Sequence, residues 1–341
     1  MNILGNKGAK EQKINICHIC LMALVLMCPV LLTGCGLEAN PAMDTQVKVA
    51  NQVSPATGSS VQGELLSGDL CVIPKKKNIS TDAAITANSA LLINDTKNKM
   101  LYAQDIYSKQ YPASVTKIAT ALLALKYADL SDTVTVSYNA SHITEYGARL
   151  CGFEEGDRIS MRNLLYCLLI YSGNDAGTAI AEHISGSEQA FAEKMNEEMI
   201  LLGASGTHFT NSHGLHDDEH YTTSYDLYLI FHELLNYRVF KKIIRQTEYT
   251  VKWKSAQKQE KSLLIRSTDQ YLTGGAAVPE GLKVLGGKTG TTVNAGSCLV
   301  LYSRDKKKQE YISVILKADS SYSLYRQMSH LLEYATDKTK S

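Results

Sequence analysis

The sequence predicts an α/β (α+β) fold in which an antiparallel sheet is flanked by helices, with an all-helical subdomain beside the sheet. Strand patterns lie at both ends of the region that begins near Ala84, and helical periodicity fills its middle. Strands from the two ends of a chain can join into one sheet, which helices then cover, so this order of elements favours two packed layers. The sequence has no internal repeat.

Composition limits the classes of function. The chain has 341 residues, of which 44% are hydrophobic and 20% charged, so it can bury a sizeable core. The formal net charge is +1. A nucleic-acid partner would require a much stronger basic character, and we therefore expect none.

The amino terminus has the order of an export signal. Lys7, Lys10 and Lys13 precede an apolar run from Ile14 to Leu32, and Leu-Thr-Gly then leads directly to Cys35. A basic region, an apolar region and a small-residue cleavage site are typical of a secretory signal peptide. The Cys after Leu-Thr-Gly resembles the lipobox of bacterial lipoproteins, in which that thiol is lipidated. The alternative is an uncleaved membrane anchor, and both interpretations place the rest of the chain outside the membrane.

Three segments follow from these boundaries: a lipoprotein signal peptide over 1–35, a flexible tether over 36–80, and a catalytic domain over 81–341. The tether is rich in Ala, Asn, Gln, Ser and Gly. Four of the eight cysteines lie beyond Cys35, at Cys71, Cys151, Cys167 and Cys298. Their spacing indicates neither a zinc site nor a disulfide framework, and we expect the last two to be buried thiols.

The elements of the domain can be predicted in order. Residues 89–93 and 100–104 have strand patterns on either side of a turn-rich segment, and helical patterns follow. The predicted helices begin near Ser114 and then cover Ser160–Tyr171, Asp175–Ile184, Ser187–Leu202, Thr223–Leu235 and, at the end, Ser323–Thr336. The predicted carboxyl-terminal strands are Lys283–Gly287, Gly296–Ser303 and Glu310–Ala318.

Three short motifs stand in the domain: Ser114-Val115-Thr116-Lys117, Ser172-Gly173-Asn174 and Lys288-Thr289-Gly290. Such short patterns arise easily by chance, and Ser-x-x-Lys recurs at Ser255–Lys258 and Ser303–Lys306. These two copies lie in polar or charged loop sequence, whereas the copy at Ser114 opens an apolar helix. We therefore select the first copy.

Ser114 is the predicted nucleophile and Lys117 its base. The two residues are one helical turn apart, so their side chains share a face. A serine at the start of a helix also lies near free backbone N–H groups. A serine hydroxyl needs a base, and a lysine can act as one if burial or a nearby cation lowers its pKa from about 10.4 toward neutrality. Lys288 is the expected cation.

The second and third motifs supply polar groups around this pair. A short non-helical loop would direct Ser172 and Asn174 into a cleft, where Ser172 could relay a proton and Asn174 could hold Lys117 or the substrate amide. Lys288 and Thr289 could bind a substrate carboxylate.

Two further positions complete the third motif. We expect Gly290 to let a ligand approach the strand backbone, because glycine has no side chain there. The N–H of Thr291 could complete an oxyanion hole with that of Ser114.

The three motifs, in this order, resemble those of the serine penicillin-recognising enzymes. The stretches Thr210–His216, Tyr221–Asp226 and Gly287–Thr291 further resemble the low-molecular-weight D-alanyl-D-alanine carboxypeptidases of peptidase S11 type. The resemblance covers about Ala84 to Thr336. It implies a β-lactamase/transpeptidase-like fold and an acyl-enzyme on Ser114.

The resemblance also implies partners and location. The expected substrates are peptidoglycan stem pentapeptides, which lose their terminal D-Ala, and the expected inhibitors are β-lactam antibiotics. No cofactor is implied. The site would lie on the extracytoplasmic face of a bacterial membrane, held there by the lipid on Cys35. Few residues follow the last predicted helix, so we expect neither the second β domain nor the carboxyl-terminal membrane helix of many such enzymes.

Three other hypotheses remain. The run His208, His213, His216 and His220 suggests zinc, but the spacing of zinc peptidases is missing, and we expect no metal. A β-lactamase would deacylate rapidly, and the Glu-x-x-Leu-Asn of one such class is missing between Ser172 and Lys288. A β-lactam sensor that is acylated without turnover is the third.

Overall fold

The computed structural model describes residues 70–78 and 80–336, and the predicted signal peptide, Cys35 and most of the predicted tether lie outside them. In this part of the chain the larger sheet has the strand order β2-β1-β9-β8-β7 and is antiparallel throughout. The first and last segments of the domain therefore pair, as predicted. Its strands are β1 (Ser89–Asn94), β2 (Lys99–Gln104), β7 (Leu282–Thr292), β8 (Gly296–Asp305) and β9 (Glu310–Ala318).

A second, smaller antiparallel sheet has the order β3-β4-β5-β6. The prediction of an all-helical subdomain is therefore wrong in this detail. The sequence did not reveal β5 and β6 because they are rich in charged residues, and in β5 only Val251 and Trp253 are buried. The strands are β3 (Thr133–Thr135), β4 (Arg158–Ser160), β5 (Glu248–Lys254) and β6 (Glu260–Arg266).

The observed helices lie close to the positions that the apolar spacing of the sequence predicts. The structure confirms α4, α5 and α6 within one residue of the predicted bounds, and Ser187 and Thr223 cap two of them by accepting hydrogen bonds from backbone N–H groups. No helix in the described residues is long and apolar enough to cross a membrane. The helices are α1 (Lys117–Tyr127), α2 (Tyr138–Ser141), α3 (Met161–Tyr166), α4 (Asn174–Ser185), α5 (Glu188–Leu202), α6 (Ser224–Leu234), α7 (Arg238–Ile243), α8 (Gln270–Thr273) and α9 (Ser321–Glu333).

The larger sheet is buried on both faces. Leu91 and Ile93 of β1 point into the core shared with α1, α3, α4 and α6, whereas Ala90 and Leu92 point into the core under α9. Successive side chains of a strand alternate between faces, which explains why every residue of β1 is buried. The sheet therefore forms a rigid central layer, with the helices that carry two of the motifs on one side.

The segment before β1 packs onto this body. The N–H of Cys71 donates to the Tyr228 hydroxyl at 3.0 Å, and the Tyr225 hydroxyl donates to the Cys71 carbonyl at 3.1 Å. Cys71 and Ile73 are both buried. The last residues of the predicted tether are thus in contact with the domain.

Candidate active site

Ser114 lies where the chain passes from a 3₁₀ turn, Ala113–Thr116, into α1. Ala113 has a φ of +48°, an uncommon conformation for a residue with a side chain, which turns the chain sharply before Ser114. Ser114 is half-buried, and its Oγ accepts a hydrogen bond from Lys117 Nζ at 2.9 Å. The predicted pair of Ser114 and Lys117 is therefore in direct contact.

Lys117 is completely buried at the start of α1. Besides the bond to Ser114, its amine donates to Asn174 Oδ1 at 2.9 Å and to the His213 carbonyl at 2.6 Å. Burial lowers the pKa of Lys117 to about 7, and the carboxylates of Asp175 and Glu188 oppose this shift only in part. A neutral amine, which can accept a proton, is thus accessible near neutral pH.

The expected role of Lys288 in this shift is not what the structure shows. Burial, and not Lys288, lowers the pKa of Lys117. Instead, burial lowers the pKa of Lys288 well below its ordinary value, and the charges of Lys117 and Arg149 lower it further. Burial and the neighbouring cations thus favour the neutral form of the Lys288 amine.

Ser172 follows a π-helical turn, Cys167–Tyr171, that continues α3. Its φ of +72° is left-handed, and this conformation ends the turn and directs the side chain into the cleft. Lys288 Nζ donates to Ser172 Oγ at 2.9 Å. The second and third motifs therefore meet at this hydroxyl.

Gly173 sits in a space that admits no side chain. A Cβ there would lie 2.6 Å from Cys151 Sγ and 2.9 Å from Asp175 Oδ1. The next residue, Asn174, donates its backbone N–H to the Arg149 carbonyl at 2.7 Å. These contacts fix the loop so that the Asn174 side chain points to Lys117.

Lys288 and Thr289 lie within β7, the edge strand of the larger sheet, which extends beyond the predicted strand Lys283–Gly287 as far as Thr292. The Lys288 amine also donates to the Thr289 carbonyl at 2.7 Å. The Thr289 hydroxyl shares a 2.6 Å hydrogen bond with that of Thr268, a residue that the sequence did not identify as part of the site.

Gly290 has a packing role that the sequence did not reveal, and the expected approach of a ligand to this position stays a prediction. A Cβ at this position would lie 2.7 Å from the Pro112 carbonyl oxygen and 2.9 Å from the Val115 nitrogen. The missing side chain therefore lets the 3₁₀ turn that carries Ser114 pack against β7. Thr291, the next residue of β7, is exposed at this side of the cleft. Its part in an oxyanion hole stays a prediction.

The loop before α6 contacts Lys117 and the turn that carries Ser114. It is the main part of the site that the sequence analysis did not identify. The His213 carbonyl binds the Lys117 amine, and His220 Nε2 shares a 2.7 Å hydrogen bond with the Thr116 hydroxyl. At Gly214, which has a φ of +84°, a Cβ would lie 1.9 Å from the Ala113 carbonyl oxygen. Only the family resemblance of this stretch indicated its importance.

The competing motif copies and the histidines occupy other environments. Ser255 and Lys258 lie in the turn between β5 and β6, and Ser303 is buried in β8. His208 Nδ1 contacts the Glu219 carbonyl at 2.6 Å. Burial lowers the pKa of His220 to about 3. In residues 70–78 and 80–336, no three His, Cys, Asp or Glu side chains are grouped to hold a metal ion.

Comparison with solved structures defines the class of fold. The crystal structure of a Streptomyces DD-transpeptidase superposes with a TM-score of 0.69 at 24% identity, over 75% of this chain and 99% of that one. A D-alanyl-D-alanine carboxypeptidase from Mycobacterium tuberculosis gives a TM-score of 0.66 at 25% identity, over 78% and 96% of the two chains. The fold is thus of the DD-transpeptidase class.

The chain belongs to the D-alanyl-D-alanine carboxypeptidase family, peptidase S11, whose model matches residues 75–320. Bacillus subtilis D-alanyl-D-alanine carboxypeptidase DacF is 31% identical over 75% of this chain and 64% of its own length. Escherichia coli DacD is 30% identical over 73% of this chain and 63% of its own. The chain therefore spans slightly less than two thirds of these relatives.

Proposed function

We propose that the protein is a serine-type D-alanyl-D-alanine carboxypeptidase that removes the terminal D-Ala from peptidoglycan stem pentapeptides. The observation that supports this most strongly is the contact of Lys117 Nζ with Ser114 Oγ at 2.9 Å, together with a Lys117 pKa near 7. Family membership and the names of the relatives support the choice of substrate.

In the acylation step, Ser114 Oγ attacks the carbonyl carbon of the penultimate D-Ala while its proton passes to Lys117 Nζ. The N–H groups of Ser114 and Thr291 stabilise the negative charge that develops on the carbonyl oxygen. The bond between that carbon and the terminal D-Ala nitrogen then breaks, and the peptide remains as an ester on Ser114.

The leaving amine takes a proton from the Ser172 hydroxyl, and Lys288, which donates to that hydroxyl at 2.9 Å, replaces it. Exchange with solvent then restores both lysines. Lys288 and Thr289 hold the carboxylate of the terminal D-Ala. A bound carboxylate favours the ammonium form, so the substrate itself restores the charge on Lys288 that burial disfavours.

In the second half of the reaction, a water molecule loses a proton to Lys117 and attacks the ester carbon. The bond from that carbon to Ser114 Oγ then breaks, and Lys117 returns its proton to Oγ, which regenerates Ser114. A β-lactam antibiotic would acylate Ser114 by the same first step, because its strained amide replaces the scissile peptide bond. The difference is that no leaving group departs, so the ester persists and the enzyme is inhibited.

The proposal also includes the location of the protein. The export signal and the Leu-Thr-Gly-Cys35 sequence support lipid attachment at the extracytoplasmic face of the membrane, with residues 36–80 as a tether. A membrane-attached enzyme with a tether could reach stem peptides in the adjacent wall.

The proposal can be tested with diacetyl-Lys-D-Ala-D-Ala, following free D-Ala. We expect steady release by the wild-type protein and none by Ser114→Ala, whereas Ser255→Ala, a copy of the motif outside the site, should be unaffected. Nitrocefin turnover without D-Ala release would indicate a β-lactamase instead. Stable labelling by a fluorescent penicillin without either turnover would indicate a sensor.

A further inference from the structure

A groove of about 540 Å³ lies on the smaller sheet. Four of the side chains that line it are cations, and Glu260 is the one carboxylate among them. The cations come from β4, β5 and the turn between β5 and β6, and all are exposed. The lining cations are Arg158, Lys252, Lys254 and Lys258.

Two of these cations oppose each other across the sheet. Arg158 of β4 and Lys254 of β5 are direct partners in the antiparallel register. Like charges at directly opposed positions destabilise a sheet, so this pair lowers the stability of the fold. Lys252 lies two residues before Lys254 and therefore on the same face, where it adds to the repulsion.

The described part of the chain offsets this charge only in part: Glu260 of β6 lies directly opposite Lys254 in the strand register, and the other three cations have no such partner. None of the four cations forms an ion pair with a described residue. Lys261, which lies beside Glu260, differs from them: its amine is 2.8 Å from Glu154 and 3.6 Å from Asp157. An anion from outside the chain would relieve the repulsion, because it would supply the missing counter-charge.

The lining residues limit the chemistry of that anion. Trp253 is the only apolar residue of the groove and is 8% exposed, so no aromatic face is free to stack on a base, and no apolar group could enter a bilayer. The polar remainder consists of Thr133 and Ser160 hydroxyls, which can donate to phosphate oxygens. These features favour a flexible phosphate polymer over a nucleic acid or a membrane surface.

We propose that this groove is a docking surface for a linear poly(polyol phosphate), a polymer of repeated phosphodiesters without bases. Lys252 and Lys254 stand about 6.8 Å apart along one strand, and Arg158 lies on the neighbouring strand, so successive phosphates of a flexible chain can each meet a cation. Binding would hold the enzyme on an anionic polymer, and this inference does not depend on the proposed catalytic activity.

The test uses a fluorescein-labelled glycerol phosphate oligomer and fluorescence anisotropy at low salt with the whole protein. The variant Lys252→Glu/Lys254→Glu should lower affinity about tenfold or more, and it should reduce the slope of log affinity against log salt, because two phosphate contacts are lost. The matched control is Lys306→Glu/Lys307→Glu. It makes the same change of net charge in the exposed turn between β8 and β9 and should change affinity less than twofold.

Two further binding measurements distinguish the proposed ligand from nucleic acid and from a membrane surface. A single-stranded DNA oligomer of equal charge and vesicles of anionic phospholipid should each bind more weakly than the glycerol phosphate oligomer. Labelling by a fluorescent penicillin should be equal in all variants and would verify folding. No binding by the wild-type protein, an equal loss in both double variants, or tighter binding to DNA or vesicles would each overturn the proposal.

Discussion

Lys117 has no exposed side-chain surface, and three oxygen atoms surround its amine, from Ser114, Asn174 and the backbone of His213. None of the three is charged. A lysine in such a site gains hydrogen bonds but no counter-ion, so burial dominates and the neutral amine is stabilised. The surroundings of Lys117 thus favour its neutral form.

The first prediction concerns pH. Because the pKa of Lys117 is about 7, its amine is neutral above that pH and protonated below it. The rate constant for acylation by a β-lactam should therefore fall as pH decreases below 7, approaching tenfold per unit. Stopped-flow measurement of acylation by nitrocefin from pH 5 to 8 would show this decrease of the rate constant.

Asp269 is the control for that profile. Burial raises its pKa to about 6, so its titration falls in the same interval. Asp269→Asn should show the same decrease of the acylation rate constant below pH 7. Lys117→Gln should lose this pH dependence and be acylated at least 100-fold more slowly. A flat profile for the folded wild-type protein would contradict the role of Lys117 as base.

The second prediction concerns Gly290. In Gly290→Ala the new methyl group would lie 2.7 Å from the Pro112 carbonyl oxygen, so β7 and the turn that carries Ser114 must separate. We expect acylation by a fluorescent penicillin to slow by about tenfold or more, since small displacements of reacting groups are costly.

Gly275→Ala is the comparison, because its methyl group meets only the flexible side chain of Gln270, at 3.2 Å. It should acylate at the wild-type rate. Wild-type labelling of Gly290→Ala would show that this close packing does not position Ser114.

At the scale of elements, β5 and the segment before β4 are joined by one buried polar contact. Trp253 Nε1 donates to Asp157 Oδ2 at 2.6 Å, and Asp157 has no exposed surface. The ring also packs edge-on against Phe153, with 5.3 Å between the centroids. The smaller sheet therefore depends on a hydrogen bond to a buried carboxylate as well as on apolar packing.

The third prediction follows from this contact. Trp253→Phe keeps an aromatic ring but removes the donor to a buried carboxylate, and we expect it to lower the free energy of unfolding by about 1–3 kcal/mol. Urea unfolding should be followed by far-UV circular dichroism, because Trp253 is the only tryptophan of the chain.

Lys252→Gln, at an exposed position next to Trp253, should change stability by no more than about 0.5 kcal/mol. An equal effect of the two substitutions would mean that the contact between Trp253 and Asp157 does not stabilise the sheet.

At the scale of the whole molecule, the larger sheet joins the two ends of the domain, since β1 pairs with β9 along six residues. The three motifs come from a turn before α1, a turn before α4 and the edge strand β7, and the sheet and its helices bring them together. The described residues begin at Leu70, so Cys35 lies outside them.

The fourth prediction concerns that attachment. Cys35→Ser removes the thiol that would be lipidated, so the protein should move from the membrane fraction to the soluble exported fraction, or remain as an unprocessed precursor. Fractionation with immunoblotting measures this, and Cys71→Ser is the matched control. Membrane retention of Cys35→Ser at its mature size would favour another mode of anchoring.

The helices α4, α5 and α6 could be predicted almost to the residue, because their apolar spacing and capping residues are local properties of the chain. The contacts of Lys117 with Ser114 and of Lys288 with Ser172 were predictable from the set of three motifs. The smaller sheet was not, since the charged strands β5 and β6 become recognisable only when their few apolar residues face a core.

The sequence by itself determined the family, the three motifs and the order of the main elements, because these depend on residue identity and on short-range spacing. Only the tertiary structure decided the pKa of Lys117, which depends on burial by Asn174 and His213 from distant segments. The same holds for Gly290, whose role depends on contact with Pro112 across the fold. Burial and close approach are properties of three-dimensional neighbours, and spacing along the chain does not encode them.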